Sequence, residues 1–455
     1  MSHTAMSSNG SLDDHTTINS VQLEQLNSAK TLPEERADAE ADILQPLDNI
    51  PDGGSRAWCA TIGGALVSFC TFGYASSFGV YQDYYVLAGT STSSNISWIG
   101  SLQLFLIFFV GFPAGRLFDA GYFHSEVLLG SILYLFCLFM LSLADPTKYY
   151  QILLAQGIGM GIGGGFMLVP ALSLQGHYWK KRRSMALGLV VTGSGCGGII
   201  YPIMLNRLIS GNSAIGFAWG VRASGFLTLG LLLIAQLLMR TRVPGAKERG
   251  TQPKPNVWGA LRDPPFVFMV FGVFLVYWGL FMPYFYLQLW LNLHGLSSTL
   301  AFYTIAILNA ASVPGRVIPN TLADYFGALN VVIPVSFIMG ALVFVMFGVT
   351  NTAAVVVFSI LYGFFSGAYI ALVPSVLAVL ANKPEELGIR MGLGYCIVSF
   401  AMLTGTPIDG ALLGQGSVLQ WPKPIVFSGV VMVAGAGFTC IGRHFLVKVK
   451  GTQWT

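Results

Sequence analysis

Apolar residues along this chain come in long runs, without the strict alternation of a half-buried strand or the narrow stripe of a soluble helix. A bilayer-spanning helix needs about 20 mostly apolar residues. Twelve segments meet that test, near 57–81, 98–118, 124–143, 150–176, 184–206, 214–239, 264–291, 298–323, 329–349, 352–380, 387–413 and 424–447. The pattern predicts an all-α membrane protein with twelve transmembrane helices. The longest polar interruption between spans, RTRVPGAKERGTQPKPNVWGALRD at 240–263, is rich in Pro, Gly and charge and reads as a linker. It separates an N-terminal six-helix bundle (56–239) from a C-terminal one (264–455).

Composition agrees with this reading. Of the 455 residues 54% are hydrophobic and 10% charged, with a mean hydropathy of +0.66, whereas soluble domains carry about 25% charged residues. The charge is segregated. Ten of the twenty acids precede residue 53, with Lys30 and Arg36 as the only bases there. Residues 1–55 are polar and free of aromatics, so they bury too little apolar surface to fold and are expected to be a disordered tail. They lack the basic and apolar regions of a signal peptide, which leaves targeting to the first span.

Lys and Arg in the short connections orient the spans. With the tail in the cytoplasm, cytoplasmic connections hold fifteen (among them Lys180 to Arg183, Arg240, Arg390 and Lys448) and the opposite side three, Lys148, Arg207 and Lys423. Both termini are therefore expected in the cytoplasm, most naturally at the plasma membrane. The stretch HYWKKRRSMALG (177–188) resembles a nucleic-acid patch in isolation. Between two spans it becomes a loop facing lipid headgroups, so the expected surroundings are the bilayer and no nucleic-acid partner. Asn95-Ile96-Ser97 is a glycosylation sequon in the first outward loop. The six cysteines lie in apolar runs with no CxxC or metal spacing.

The halves resemble each other. FMLVPALSL answers IALVPSVLA, setting Pro170 opposite Pro374, and MALG (185–188) answers MGLG (391–394). Pro202 falls opposite Pro407, Gly73 opposite Gly279 and Asp119 opposite Asp324, all at offsets of 204 to 206. Two parallel six-span repeats are the pattern of the major facilitator superfamily (the MFS fold), whose halves rock about a midplane substrate path.

Three motifs narrow the resemblance. PDGGSRAW at Pro51, Tyr178-Trp179-Lys180-Lys181-Arg182-Arg183 followed by Ala186, Gly188 and TGSGCGG, and PGRVIPNTLADYFGALN (314–330) resemble the monocarboxylate-transporter branch in its fungal form. The resemblance implies a secondary active transporter of a small organic anion, monocarboxylate-like, working by alternating access with proton symport. Mammalian lactate carriers place a Lys in span one and an Asp one turn before the span-eight Arg; the matching positions here are Ser76 and Ser312, with Arg316 retained. The alternative is efflux of a secondary metabolite from a fungal biosynthetic pathway. A nutrient sensor would carry long cytoplasmic domains, which are missing. The spans hold no Ser/His/Asp or metal constellation, so neither an enzyme, a cofactor nor a metal is expected, and the transporter is expected to work as a monomer.

An ionisable group inside the membrane is costly and needs a reason. Arg316 shares a helical stripe with Asn309 and Ser312, and a guanidinium fork matches a carboxylate, so these three are candidate substrate contacts. The other reading has Arg316 locking the inner gate with Asp324. Tyr74, Phe78 and Tyr81 fall on one face of span one, and Tyr277 and Tyr284 on one face of span seven. Spans one and seven line the cavity in the superfamily, so these aromatics are either substrate contacts or packing. Arg116 and Asp119, three apart, with Asp324 on the repeat-related turn, resemble the superfamily's gating motif. Arg222 is either an outer gate or an interfacial anchor. Asp409 is either a proton-coupling site or a solvated helix end. GIGMGIGGG in span four fits close helix packing, since small residues let backbones approach.

Overall fold

The computed structural model describes residues 50–209, 215–242, 257–293, 296, 298–381, 386–414 and 420–453. Most of the expected tail (1–49) and the middle of the linker (243–256) lie outside the described residues; the linker's end forms a short helix, Val257–Leu261. No strand occurs among the described residues. The long helices, in chain order, are α1 Ser55–Leu87, α2 Asn95–Asp119, α3 Phe123–Leu141, α4 Tyr149–His177, α5 Arg183–Ile209, α6 Phe217–Leu238, α7 Pro264–Leu291, α8 Ser298–Phe326, α9 Ala328–Gly348, α10 Thr352–Val379, α11 Leu387–Leu413 and α12 Pro422–Lys450.

Eleven of these are long and apolar enough to cross a membrane. The remaining one, α8, is 29 residues long and carries Pro314 and Pro319 inside it. Asn309, Ser312, Arg316, Asn320 and Asp324 lie on this single helix and dilute it. Large apolar side chains such as Leu129, Phe136 and Leu237 point outward, as a lipid-facing surface requires.

Small residues set how closely the helices approach. In GIGMGIGGG a β-carbon at Gly163 would meet the Tyr134 amide nitrogen of α3 at 2.8 Å, and one at Gly165 the Val110 Cβ of α2 at 2.7 Å. Helix α4 is therefore wedged between two neighbours, one glycine row for each. Pro170 and Pro374 sit inside α4 and α10. All six cysteines are free thiols within apolar helices.

One apolar core lies within the N-terminal bundle, and a second fills the C-terminal bundle and extends through Phe72, Phe108, Leu187 and Val191 into the first. Phe108 on α2 contacts Tyr395 on α11 with ring centroids 5.0 Å apart. The halves therefore meet through α2 against α11 and α5 against α8.

In the connection between α4 and α5, Tyr178 and Trp179 are buried while Lys180, Lys181 and Arg182 are exposed. Trp179 Nε1 donates to Thr61 Oγ1 (3.1 Å), and the Tyr178 hydroxyl donates to the Arg240 carbonyl (2.5 Å). The aromatics anchor the loop and turn its cations outward. This cationic end of the bundle also carries Asp119, Asp324 and Arg390.

Candidate functional site

Arg316 is 3% exposed, and Nη1 donates to the Val191 carbonyl (3.0 Å) and to Ser194 Oγ (2.8 Å), both on α5. A helix of the C-terminal half thus lays its guanidinium on a helix of the N-terminal half. The glycines of span five make room: a β-carbon at Gly195 would stand 2.7 Å from Arg316 Nη1, and one at Gly188 2.6 Å from the Arg316 carbonyl. Arg316 Nε is buried and has no acceptor among the described residues. The ion pairs of the described residues, Lys148–Asp145, Arg390–Asp263 and Arg390–Glu386, do not include it. Tyr277, Tyr284 and Cys196 stand close enough to interact with its charge.

The expected stripe on α8 divides. Asn309 Oδ1 and Ser76 face one another across Gly198, where a β-carbon would lie 3.7 Å from the first and 3.4 Å from Ser76 Cβ. Ser312 turns away: its hydroxyl donates to its own helix at Asn309 (2.7 Å), and its Cβ backs onto Gly367 of α10. At about 100° per residue, Ser312 lies some 60° from Asn309, enough to change its neighbour. Its position in a helix contact does not suit the expected substrate contact.

The tyrosines also divide. Tyr74 and Tyr81 are fully buried inside the N-terminal bundle with hydroxyls 2.5 Å apart; Tyr74 also pairs with Ser224 Oγ (3.0 Å) and lies against Tyr201, centroids 4.7 Å apart. Phe78 presses on Gly100 of α2. These three belong to packing within one half. Tyr277 and Tyr284, by contrast, lie near Arg316; the Tyr284 hydroxyl meets Ser366 Oγ at 3.0 Å, and the Tyr277 ring lies 5.7 Å from that of Tyr369. The Tyr369 hydroxyl is buried without a partner among the described residues. Ser194 and Tyr369 escaped sequence reasoning because a small Ser in a Gly run and a Tyr in an apolar helix look like ordinary packing.

At the cationic end two carboxylates cross between the halves. Asp119, ending α2, accepts the N–H of Gly388 (3.0 Å) and Ile389 (2.7 Å) at the start of α11. Asp324, near the end of α8, accepts the N–H of Ser184 (2.8 Å) and Met185 (2.9 Å) at the start of α5. Each places a negative charge on a helix N-terminus, where up to about 2 kcal/mol is available in partly buried geometry. No Arg316–Asp324 ion pair is present among the described residues: the guanidinium rests on α5, and Asp324 accepts two α5 amides. The contacts also refine the repeat: Gly188 backs onto α8 while Gly392, not Gly394, backs onto Gly111 of α2, a register of 204 like that of Ser184 with Gly388. A β-carbon at Gly115 would collide with the Gly388 carbonyl, so the halves touch backbone to backbone here.

Of the other candidates, Arg116 is exposed one turn before Asp119. Arg222 donates from Nε to Ser142 Oγ (3.2 Å) and lies 5.0 Å from the Trp219 ring centroid, which ties α6 to α3 within one half. Asp409 is 1% exposed, which corrects the solvated-end reading: Ser428 Oγ donates to Oδ1 (2.9 Å), and Oδ2 has no donor among the described residues. Tyr286 stands beside it, its hydroxyl donating to the Thr406 carbonyl at 3.1 Å. Glu126 on α3 is a second buried acid, with no partner for either oxygen among the described residues. Asn95 is exposed in the first turn of α2, with Nδ2 donating to Ser91 Oγ (3.0 Å).

Two pseudo-equivalent helical halves, a charge buried where they meet and crossed carboxylates at one end define a polytopic secondary transporter. A family model of the Major Facilitator Superfamily matches residues 60–328. The chain is 42% identical over 388 residues to the aspyridones efflux protein apdF of Emericella nidulans, covering 85% of this chain and 77% of that one. It is 38% identical over 398 residues to the agnestins efflux protein AgnL12 of Paecilomyces divaricatus, covering 87% and 88%. The outward conformation of the transporter FucP is similar in fold, with a TM-score of 0.64 at 16% identity over 84% of this chain and 99% of that one. So is the human organic anion transporter MFSD10, with a TM-score of 0.62 at 12% identity over 86% and 99%. This chain belongs to the Major Facilitator Superfamily, and it is a multi-pass membrane transporter of small-molecule substrates. These relatives are fungal transporters, two of them named as efflux proteins, and their names do not specify monocarboxylates.

Proposed function

We propose that this chain exports an acidic secondary metabolite across the plasma membrane by alternating access, as a monomer with both termini in the cytoplasm. The observation that carries this reading is the buried Arg316 guanidinium, bound by two neutral oxygens of the opposite half and joined to no carboxylate among the described residues. A charge desolvated at that depth attracts an anion, and its unpartnered Nε is a donor for one. Tyr277, Tyr284 and Asn309 supply aromatic and polar surface around it. Asp119 and Asp324 latch the cytoplasmic side, and Asp409 is the candidate carrier of a coupling proton. The efflux names of the relatives support export over uptake.

Monocarboxylate symport is the second reading, favoured by the retained Arg316 and the PDGGSRAW lead-in. Ser76 and Ser312 stand where lactate carriers hold their Lys and Asp, so the proton relay of those carriers has no residues here. The test is to delete the gene in the producing organism and follow acidic metabolites inside and outside the cells. Intracellular accumulation rescued by wild type but not by Arg316→Ala is expected. Normal secretion from the deletion strain, together with gradient-driven uptake of labelled short-chain acids, would sink the export reading.

A further inference from the structure

Two carboxylates outside the long helices have no role in the site described so far. Each stands just before the first helix of its half. Asp52 adopts φ 49°, a left-handed conformation that residues bearing a β-carbon seldom take up. Its side chain accounts for that: Oδ1 accepts the N–H of Lys180 (2.5 Å) and of Lys181 (2.6 Å), in the turn that leads into α5. Three residues further along that turn, Ser184 and Met185 offer their N–H groups to Asp324. One loop therefore divides four amides between two carboxylates, one from its own half and one from the other.

The C-terminal half repeats the device with different chemistry. Asp263, directly before α7, accepts a charge-assisted hydrogen bond from Arg390 Nη1 at 2.9 Å. The same nitrogen donates to the Leu380 carbonyl at the end of α10 (2.7 Å), and Arg390 Nε lies 3.3 Å from Glu386 Oε2. Arg390 is 6% exposed and follows directly on Ile389, whose N–H meets Asp119. In both halves the segment entering the first helix thus grips the connection between the fourth and fifth helices, and that connection presents amides to the opposite half.

We propose that Asp52 and Asp263 are positioning residues of the inner gate: Asp52 holds the turn before α5, and Asp263, through Arg390, holds the first turn of α11, so that the N-terminal amides of each helix meet the carboxylate of the other half. The closed gate needs those amides aligned, and an unpinned turn must lose freedom each time the gate shuts. Removing the pin therefore disfavours closure without touching Asp119, Asp324 or the substrate path. This inference rests on the alternating-access reading and is independent of what is carried.

The test is a distance distribution across the gate in the full-length protein in lipid nanodiscs, without substrate. Spin labels on unnatural residues at the exposed Tyr122 and Tyr325 report on the two halves. Asp324→Ala, which removes one latch directly, is the reference for an opened gate. Asp52→Ala is expected to raise the ratio of open to closed populations about fivefold, the scale of ordering about one backbone residue each time the gate shuts. Asp52→Asn, which keeps an acceptor oxygen, is expected to stay within about twofold of wild type. Asp263→Ala is expected to shift the same distances through α11, and an unshifted distribution overturns the role of that residue. If Asp52→Ala does not fold, Asp52→Gly, which also removes the acceptor and suits the left-handed backbone, carries the same expectation. A wild-type distribution in Asp52→Ala, or an Asn variant as open as the Ala variant, overturns the proposal. An unshifted Asp324→Ala instead removes the gate itself and with it the mechanism assumed above.

Discussion

The two ends of the repeat symmetry behave differently. At the cationic end the halves are near copies: Asp119 caps α11 as Asp324 caps α5, each carboxylate taking two amides from the opposite half. Deeper in the bundle the copies part company. Tyr74 and Tyr81 of α1 close on each other inside their own half, whereas Tyr277 and Tyr284 of α7 lie near the guanidinium of Arg316. A gate that must open and shut both halves alike gains from two equal latches. A binding site needs one charge in one place, and duplicating it would bury two like charges together. Duplication is kept where the work is symmetric and abandoned where the ligand is not.

The largest expected effect comes from breaking the asymmetric part. Arg316→Ala should reduce export of the acidic metabolite roughly a hundredfold at matched membrane expression, the scale of truncating one partner of a buried charged contact. Arg316→Lys should recover little of it, because the ammonium lacks the planar fork. Export by Arg316→Lys at the wild-type rate would remove the anchor.

Next comes the symmetric part. Gly115→Val puts branched bulk against the Gly388 backbone, where even a methyl has no room. It should hold the cationic end open and cut turnover by at least about tenfold, the scale of a core overpacking cost of roughly 1–3 kcal/mol. The Tyr122–Tyr325 distance distribution would register the loss of the closed population. The same substitution at the exposed Leu117 should leave that distribution unchanged.

Asp409→Asn tests coupling. It preserves an oxygen for Ser428 but cannot exchange a proton, so flux should lose its response to an imposed pH gradient while counterflow of substrate persists. Counterflow and gradient-driven flux falling together would assign Asp409 to structure alone.

The smallest effects sharpen the contrast between the tyrosines. Tyr277→Phe and Tyr284→Phe should weaken substrate binding several-fold and leave Tm in place. Tyr74→Phe and Tyr81→Phe should each lower stability by about 1 kcal/mol, one hydrogen bond's worth, with KM unchanged. A KM effect at Tyr74 comparable to that at Tyr284 would erase the distinction between the two helices.

Much of the fold was legible along the chain. The twelve spans follow from local sums of hydropathy, and α8 stood out by its buried Arg before any neighbour was known. The Asp119–Asp324 correspondence was also legible, because duplication preserves spacing. Their partners were not. A carboxylate three residues from Arg116 suggests a local pair, whereas the structure also sends it to amides 269 and 270 residues away. Asp409 looked like a wet helix end because position along a helix carries no information about what covers it. Ser312 shared a stripe with Asn309 and Arg316, yet its rotation of some 60° from Asn309 delivered it to α10.

By itself, then, the sequence determined which segments lie in the bilayer, which end is cationic, that the halves are copies and that one copy carries an unmatched arginine. These are properties of composition and spacing, written within single helices. Tertiary packing set the arginine on the glycine face of α5, brought a carboxylate of each half onto backbone amides of the other, and left one tyrosine set in the core and the other near the charge. Helical periodicity sets the face on which a side chain stands. What that face meets depends on the approach of another helix, governed in this chain by where glycines leave room for it.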